Sequence, residues 1–266
     1  DLSARLPEVN SRTEVGRLTG SLNTMLSRIE ESFAVRAESE SKLRRFVADA
    51  SHELRTPLTA IRGFAELHRQ GAVVGEEKTK ELISRIEKES IRMSSLVEDL
   101  LLLARLDQSR ELTFDPVDIN HLVKEAVASA RAAGPDHEIT ISTVNDEVFV
   151  LGDSMRIHQA IANLLANART HTPAGTKIVV DISQNELNTR ISVSDTGPGL
   201  SESDQERAFE RFFRADPSRV RVSGEGSGLG LAIVDAVMKA HGGSVEVKSK
   251  LGEGATFTII FPQKEL

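Results

Sequence analysis

Cysteine, tryptophan and tyrosine are absent from this 266-residue sequence, and aromatic residues make up only 4% of it. Without cysteine, the chain has no disulfide framework, no thiolate zinc site and no cysteine nucleophile. Few aromatic rings are available for stacking on single-stranded nucleic acid, and a net charge of −7 opposes binding to any nucleic acid. We therefore expect no nucleic-acid partner.

Long apolar runs are also missing. No segment approaches about 18 uninterrupted apolar residues, so nothing in the sequence is predicted to span a membrane, and no secretory signal opens it. The chain starts at Asp1 rather than at a methionine, which predicts a soluble fragment of a longer protein. Its length predicts about two domains.

The first third of the sequence predicts long amphipathic helices. Apolar residues recur every three or four positions over residues 18–33, 43–65 and 82–103. The last two runs, joined by residues 70–78, predict a helical hairpin. Pairing two copies would bury the apolar stripes in a four-helix bundle, so we expect a homodimer. A plain coiled-coil spacer is the alternative.

After residues 109–116, where this periodicity breaks, helix-like and strand-like segments alternate. The predicted helices cover residues 119–132, 153–170 and 229–241. The predicted strands cover residues 138–144, 148–151, 177–183, 189–194, 244–249 and 255–261. Short links between consecutive strands predict antiparallel pairs with helices on one face, which is an α+β sandwich.

A first motif, Ser-His-Glu-Leu-Arg-Thr-Pro-Leu, occupies residues 51–58. The helical periodicity turns His52 to solvent, with Thr56 one turn later on the same face and Glu53 beside it. An exposed imidazole next to a carboxylate is a candidate nucleophile, because the carboxylate can hold the N–H tautomer. The alternative is an ordinary histidine on a solvated face.

A second motif covers residues 163–172, at the end of the helix predicted over residues 153–170, and includes His171. Asn163 and Asn167 are one turn apart on one face. Side-chain amide oxygens are hard ligands that suit Mg²⁺, which takes phosphates and waters as its other ligands. Solvated or capping amides are the alternative.

A third motif, Asp-Thr-Gly-Pro-Gly, follows a predicted strand at residues 195–199. Asp195 can accept a hydrogen bond from an adenine amino group, and Gly197 and Gly199 permit tight turns and a close approach by the base. By itself the motif is also typical of a plain turn.

A fourth motif is rich in glycine and covers residues 224–233, including Gly226, Gly228, Leu229 and Gly230. Alternate glycines let the backbone wrap around phosphates, and the next helix offers its N-terminal N–H groups. The motif lacks the Gly-Lys-Ser/Thr of a Walker A loop and the third glycine of a Rossmann fingerprint. A flexible linker is the alternative.

A basic stretch precedes the glycine-rich motif. Residues 207–223 contain five arginines and two acidic residues, which could attract a polyanion to an acidic protein. Arg214 closes a Phe-Glu-Arg-Phe-Phe-Arg segment and could reach a γ-phosphate as part of a lid. The alternative is a solvated basic loop.

Together these motifs resemble the conserved boxes of sensor histidine kinases, in the same order and at similar spacing across residues 42–262. The resemblance implies that His52 accepts a phosphoryl group from ATP, with Glu53 as general base. It implies that Asn167 binds Mg²⁺, that Asn163, His171, Asp195, Gly197 and Gly199 contact the nucleotide, and that Gly226, Gly228, Leu229, Gly230 and Arg214 surround its phosphates.

The same resemblance implies three domains. Residues 1–33 resemble the C-terminal part of a HAMP relay module, residues 34–112 a dimerisation and histidine-phosphotransfer domain, and residues 113–266 a catalytic ATP-binding domain of the GHKL (Bergerat) fold. The implied setting is the cytoplasmic side of a plasma membrane, with attachment only through a preceding N-terminal transmembrane region.

The implied partner is the receiver domain of a response regulator, whose Asp would take the phosphoryl group, and Thr56 implies an additional phosphatase activity. Two alternatives remain. An ATPase of the gyrase and Hsp90 class would share the nucleotide motifs without the acceptor histidine. A degenerate kinase would only relay conformation.

Overall fold

The computed structural model describes residues 13–107, 112–143, 147–215 and 227–263. The chain divides into two compact units, Asp1–Thr56 and Pro57–Leu266, and each is described by itself. The helices, in chain order, are α1 (Glu14–Arg69), α2 (Glu76–Asp107), α3 (Ile119–Ala133), α4 (Ser154–His171), α5 (Glu202–Arg207) and α6 (Gly230–Ala240). The strands are β1 (Asp115–Asp118), β2 (Glu138–Thr143), β3 (Phe149–Gly152), β4 (Lys177–Gln184), β5 (Asn188–Asp195), β6 (Ser244–Lys250) and β7 (Gly254–Pro262).

The described part of the first unit belongs to α1. An acidic residue in the first turn and basic residues in the last turn complement the dipole of this helix, which continues without interruption through Pro57. Leu18, Phe33 and Leu43 expose more than half of their surface. These side chains form the apolar seam that the sequence predicts, and they are uncovered in the single chain.

The predicted hairpin is present, since α2 follows α1 after a short loop. Gly71 and Gly75, with φ angles of 72° and 100°, take the left-handed conformations that reverse the chain there. One face of α2 is buried through Leu96 and Leu103 and packs on α6. The opposite face leaves Ile91 61% exposed, so part of the apolar stripe has no cover.

The predicted α+β architecture is also present in the second unit. Its main sheet has the order β2-β4-β5-β7-β6. Alternate residues of the central strands, such as Ile178, Val180, Ile191 and Val193, are buried toward the helices. On the opposite face, polar pairs such as Ser192 Oγ and Thr258 Oγ1, 2.9 Å apart, line the sheet. The core therefore lies between one face of the sheet and a layer of helices.

The expected antiparallel pairing is present between β4 and β5 and between β6 and β7, whereas β2 and β3 do not pair with each other. β2 pairs with β4 in parallel, and β3 pairs with β1 in a separate antiparallel two-stranded sheet. The reason is the length of the connection, because α4 lies between β2 and β4 and supplies the crossover that a parallel pair requires. β1 itself was not predicted, since its Asp-Pro-Val-Asp sequence shows no alternation.

A buried histidine fixes the position of α4. His241 is 2% exposed, and its Nε2 accepts a hydrogen bond from the backbone N–H of Asp153 at 3.0 Å. Its Nδ1 pairs with the carbonyl oxygen of Val237 at 2.8 Å, which makes Nδ1 the protonated nitrogen. Asp153 caps α4 by accepting from the Arg156 N–H at 3.1 Å. The ring therefore links the end of α6 to the start of α4.

Candidate nucleotide-binding site

The second unit contains a cavity of about 770 Å³ between α4, the start of α6, the end of β5 and α5. A cavity of this size suits a nucleotide-sized ligand. Residues of every nucleotide motif in the sequence line it, and these are Asn163, Asn167, His171, Asp195, Gly199, Arg214, Gly228 and Gly230. The structure thus brings together positions that are up to 67 residues apart, as in the hydrogen bond from Asn163 to Gly230.

Asn163 and Asn167 lie on one face of α4, and both are half-buried. The Asn163 Nδ2 donates to the Gly230 carbonyl oxygen at 3.3 Å, which ties α4 to the glycine-rich motif. Leu164 and Leu165, between them, are buried in the core, as predicted. Because these leucines pack in the core, Asn167 lies on the other face of α4, where it lines the cavity.

Within the described residues, no group of three or more His, Asp or Glu side chains could hold a metal ion. The side-chain amide oxygen of Asn167, which lines the cavity, could be one ligand of a Mg²⁺ ion. Phosphate oxygens and waters would be its other ligands, which is an arrangement that Mg²⁺ favours. The donor set fits a metal that arrives with a nucleotide.

Asp195 ends β5 at the floor of the cavity. Its Oδ1 accepts a hydrogen bond from the Gly197 N–H at 2.9 Å. Burial raises the pKa of Asp195 above its ordinary value, while backbone hydrogen bonds from Gly197 and Ala255 and the nearby His171 act in the opposite direction. The turn after it needs glycine, because Gly199 has a φ of 69° and a Cβ there would overlap the Lys250 carbonyl.

His171, the last residue of α4, lines the cavity beside these groups. Burial lowers its pKa, the positive charge of Arg214 lowers it further, and Asp195 partly opposes both effects. The imidazole is therefore neutral near pH 7. In that state it can donate one hydrogen bond and accept another.

The glycine-rich motif leads into α6. Gly228 has a φ of 69°, and a Cβ there would lie 2.9 Å from the Phe212 Cα, so glycine is required. Leu229 is fully buried and provides no side-chain cap for α6, whose first residue, Gly230, lines the cavity. The uncapped N–H groups and the positive end of this 11-residue helix can bind an anion. Gly226 lies outside the described residues.

Asp99 of α2 is a cavity residue that the sequence reasoning missed. Its Oδ2 accepts a hydrogen bond from the Ser227 hydroxyl at 3.5 Å. Burial raises its pKa to about 6, Glu98 adds to this effect, and the Ser227 hydrogen bond opposes it. The sequence does contain a signal, because Asp99 lies three residues after Leu96 and four before Leu103, on the same face of the helix as these apolar residues.

The polar residues of the acceptor motif, His52, Glu53 and Thr56, lie in the first unit. His52 and Thr56 are exposed on α1, as predicted, and Glu53 is half-buried. The Thr56 hydroxyl donates to the His52 carbonyl oxygen at 3.3 Å, one helical turn away. The imidazole of His52 is therefore accessible to a reacting group.

Three family models match the chain. Residues 1–31 match the HAMP domain, residues 42–109 match the His Kinase A (phospho-acceptor) domain, and residues 152–265 match the histidine kinase-, DNA gyrase B- and HSP90-like ATPase family. In the parts of the chain that are described, no helix is long and apolar enough to cross a bilayer.

Curated relatives and solved structures agree with these matches. The probable sensor histidine kinase TcrY of Mycobacterium tuberculosis is 47% identical over 92% of this chain. The sensor histidine kinase TrcS of the same organism is 41% identical over 95% of it. The chain spans about half the length of these relatives, 51% of TcrY and 50% of TrcS.

Two solved structures resemble most of the fold. Histidine kinase AdeS of Acinetobacter baumannii matches with a TM-score of 0.64 and 25% identity, over 80% of this chain and 98% of that one. Histidine kinase ThkA, in complex with the response regulator protein TrrA, matches with a TM-score of 0.69 and 26% identity, over 88% and 66% of the two chains. With its HAMP, phospho-acceptor and ATPase domains, the chain belongs to the sensor histidine kinases.

Proposed function

We propose that the chain phosphorylates His52 from Mg²⁺-ATP and passes the phosphoryl group to an Asp of a response regulator. One observation carries the proposal: residues from four separate motifs converge on a single cavity of nucleotide size. If these motifs had only a structural role, their polar side chains and glycines would not need to surround a cavity.

Each part of the cavity has a role in this proposal. Asp195 accepts a hydrogen bond from the adenine amino group and thereby selects adenine over guanine. His171 and Asn163 contact the nucleotide, Asn167 holds Mg²⁺, and the start of α6 binds phosphate oxygens. Gly197 and Gly199 admit the base, Gly226, Gly228, Leu229 and Gly230 surround the phosphates, and Arg214 stabilises the transferring group.

The phosphoryl transfer proceeds at the exposed imidazole of His52. One ring nitrogen forms a bond to the γ-phosphorus while the bond from that phosphorus to the bridging oxygen breaks, and ADP leaves. Glu53 accepts the proton from the other ring nitrogen. Bound Mg²⁺ neutralises phosphate charge, and the protein contributes mainly by positioning.

The surroundings of the acceptor motif suggest its partners. The uncovered apolar side chains of the hairpin, such as Ile91 at 61% exposure, suit a second copy in a dimeric four-helix bundle. The exposed Thr56 beside His52 suits dephosphorylation of the regulator. We place the domains at residues 1–33, 34–112 and 113–266, on the cytoplasmic side of a membrane.

Labelling with γ-³²P-ATP and Mg²⁺ tests the proposal. The wild type should acquire acid-labile, alkali-stable label, and His52→Gln should acquire none. His68→Gln is the matched control, because His68 is another exposed histidine on the same helix. ATP hydrolysis without label would favour an ATPase of the gyrase and Hsp90 class. Failure to bind ATP would favour a scaffold that only relays conformation.

A further inference from the structure

One wall of the cavity is held by contacts that none of the family motifs includes. Leu200, Ser201, Asp204 and Ala208 line this wall, which contains α5. None of the six residues of α5 is buried. The helix therefore has no apolar stripe of its own to attach it to the sheet, and polar contacts must supply the attachment.

Gln205 supplies it. Its Nε2 donates to the Ser249 carbonyl oxygen at 3.1 Å, and its Oε1 accepts from the Ser249 N–H at 3.0 Å. β6 is the edge strand of the sheet, so these outward backbone groups have no neighbouring strand among the residues that the structure describes. A carboxamide presents one donor and one acceptor side by side, and thus pairs with the edge as another strand would.

The Ser249 side chain fastens the same wall at a second point. Its hydroxyl accepts from the Leu200 N–H at 2.7 Å and donates to the Gly254 carbonyl oxygen at 2.7 Å. Gly254 precedes Ala255, which lies opposite Asp195 in the ladder of β5 and β7. Leu200 and Gln205 are therefore both tied to Ser249, which pairs with Ala255 in the ladder of β6 and β7.

The C-terminal end of this wall, at residues 208–212, is attached to the rest of the unit by other contacts. The ring of Phe209 lies 6.2 Å from that of Phe257 in an edge-to-face contact, and the Phe212 N–H donates to the Gly228 carbonyl oxygen at 2.8 Å. Loss of the Gln205 contacts should therefore loosen α5, while Leu200 at one end and Phe212 at the other stay attached.

We infer that Gln205 is a positioning residue for nucleotide binding, which holds the α5 wall closed through its paired hydrogen bonds to Ser249. The inference rests on the proposed nucleotide function of the cavity. The positioning role requires the carboxamide group of Gln205 itself. A leucine loses both bonds, and an ionised glutamate places an acceptor against the Ser249 carbonyl oxygen.

Calorimetric titration with ADP and Mg²⁺ at pH 7.5 tests the inference on the full chain. Gln205→Leu and Gln205→Glu should each bind about tenfold more weakly than the wild type, since two backbone pairings are lost. Glu206→Gln, a change at the exposed neighbouring position, should stay within about twofold. Hydrogen exchange without nucleotide should accelerate at residues 202–207 in both variants and stay unchanged in β5.

A pH series separates paired hydrogen bonding from packing. A protonated glutamate again offers one donor and one acceptor, so Gln205→Glu should regain affinity relative to the wild type between pH 7.5 and pH 5. Gln205→Leu should not. The charged groups of the two elements, including Glu202, Glu206, Lys248 and Lys250, are the same in the wild type and in both variants. Each variant is therefore compared with the wild type at the same pH.

Three outcomes are distinguishable. A wild type that does not bind ADP contradicts the proposed function itself. A wild type that binds ADP, with both variants binding equally well, overturns the positioning role and leaves the proposed function intact. Full affinity in Gln205→Glu at pH 7.5 would also overturn the inference, because glutamate has the bulk of glutamine and the paired donor and acceptor would then not be needed.

Discussion

Replacing Asp99 with asparagine should stabilise the second unit near neutral pH. Asp99 faces the cavity with a pKa of about 6, against an ordinary value of 3.8. A shift of about two units corresponds to about 3 kcal/mol at pH 7. Because the carboxyl retains partial contact with water, screening reduces this cost to about 1–2 kcal/mol. Asparagine keeps the shape and the acceptor oxygen for Ser227 without the charge.

The sign of the pH dependence follows from the raised pKa. The folded state holds the Asp99 proton more tightly than the unfolded state, so the cost is absent below about pH 4, grows between pH 4 and pH 6, and is constant above. The gain from Asp99→Asn at pH 5 should therefore be about half of its gain at pH 7.5. The same change should tighten ADP binding, because it removes a negative charge from the wall of the cavity.

Thermal and urea unfolding at pH 5 and pH 7.5 measures the effect. Glu87→Gln is the control, because it removes the same charge from an exposed position of α2 and should change stability by less than about 0.5 kcal/mol. The reasoning is refuted if Asp99→Asn does not raise the free energy of unfolding at pH 7.5. It is also refuted if Asp99→Asn raises that free energy more at pH 5 than at pH 7.5.

Three further changes test other parts of the structure. Asp195→Asn should weaken ADP binding by about 10- to 100-fold in calorimetry, since a charge-assisted hydrogen bond to adenine is lost; unchanged affinity would contradict its role. His241→Phe should lower the free energy of unfolding by about 2–4 kcal/mol in urea titrations, because the Asp153 N–H and the Val237 carbonyl lose a buried partner. A loss below about 1 kcal/mol would contradict this account. Thr56→Ala should lower the rate at which the chain dephosphorylates a phosphorylated regulator, and an unchanged rate in a stopped-time assay would count against a role for the hydroxyl.

Elements with strong local periodicity could be predicted from the sequence. The helix predicted over residues 153–170 is α4 (Ser154–His171), and the helix predicted over residues 229–241 is α6 (Gly230–Ala240). In both, apolar residues recur at the helical period because one face packs on the sheet. The nucleotide motifs were found for a similar reason, since each is short and continuous in sequence.

Elements without a local pattern could not be predicted. α5 buries no residue, so it has no apolar stripe, and β1 combines a proline with two aspartates. The parallel pairing of β2 with β4 depends on a crossover that strand composition does not encode. Gln205 likewise meets its partner 44 residues away.

The central claim is tested most directly by locating the phosphoryl group on the protein. The full chain is incubated with Mg²⁺-ATP, digested at neutral to mildly alkaline pH to preserve phosphohistidine, and analysed by tandem mass spectrometry. We predict a phosphoryl group on the imidazole of His52 and none on His68. A modified residue other than His52, or ATP turnover that leaves every histidine unmodified, would contradict the account.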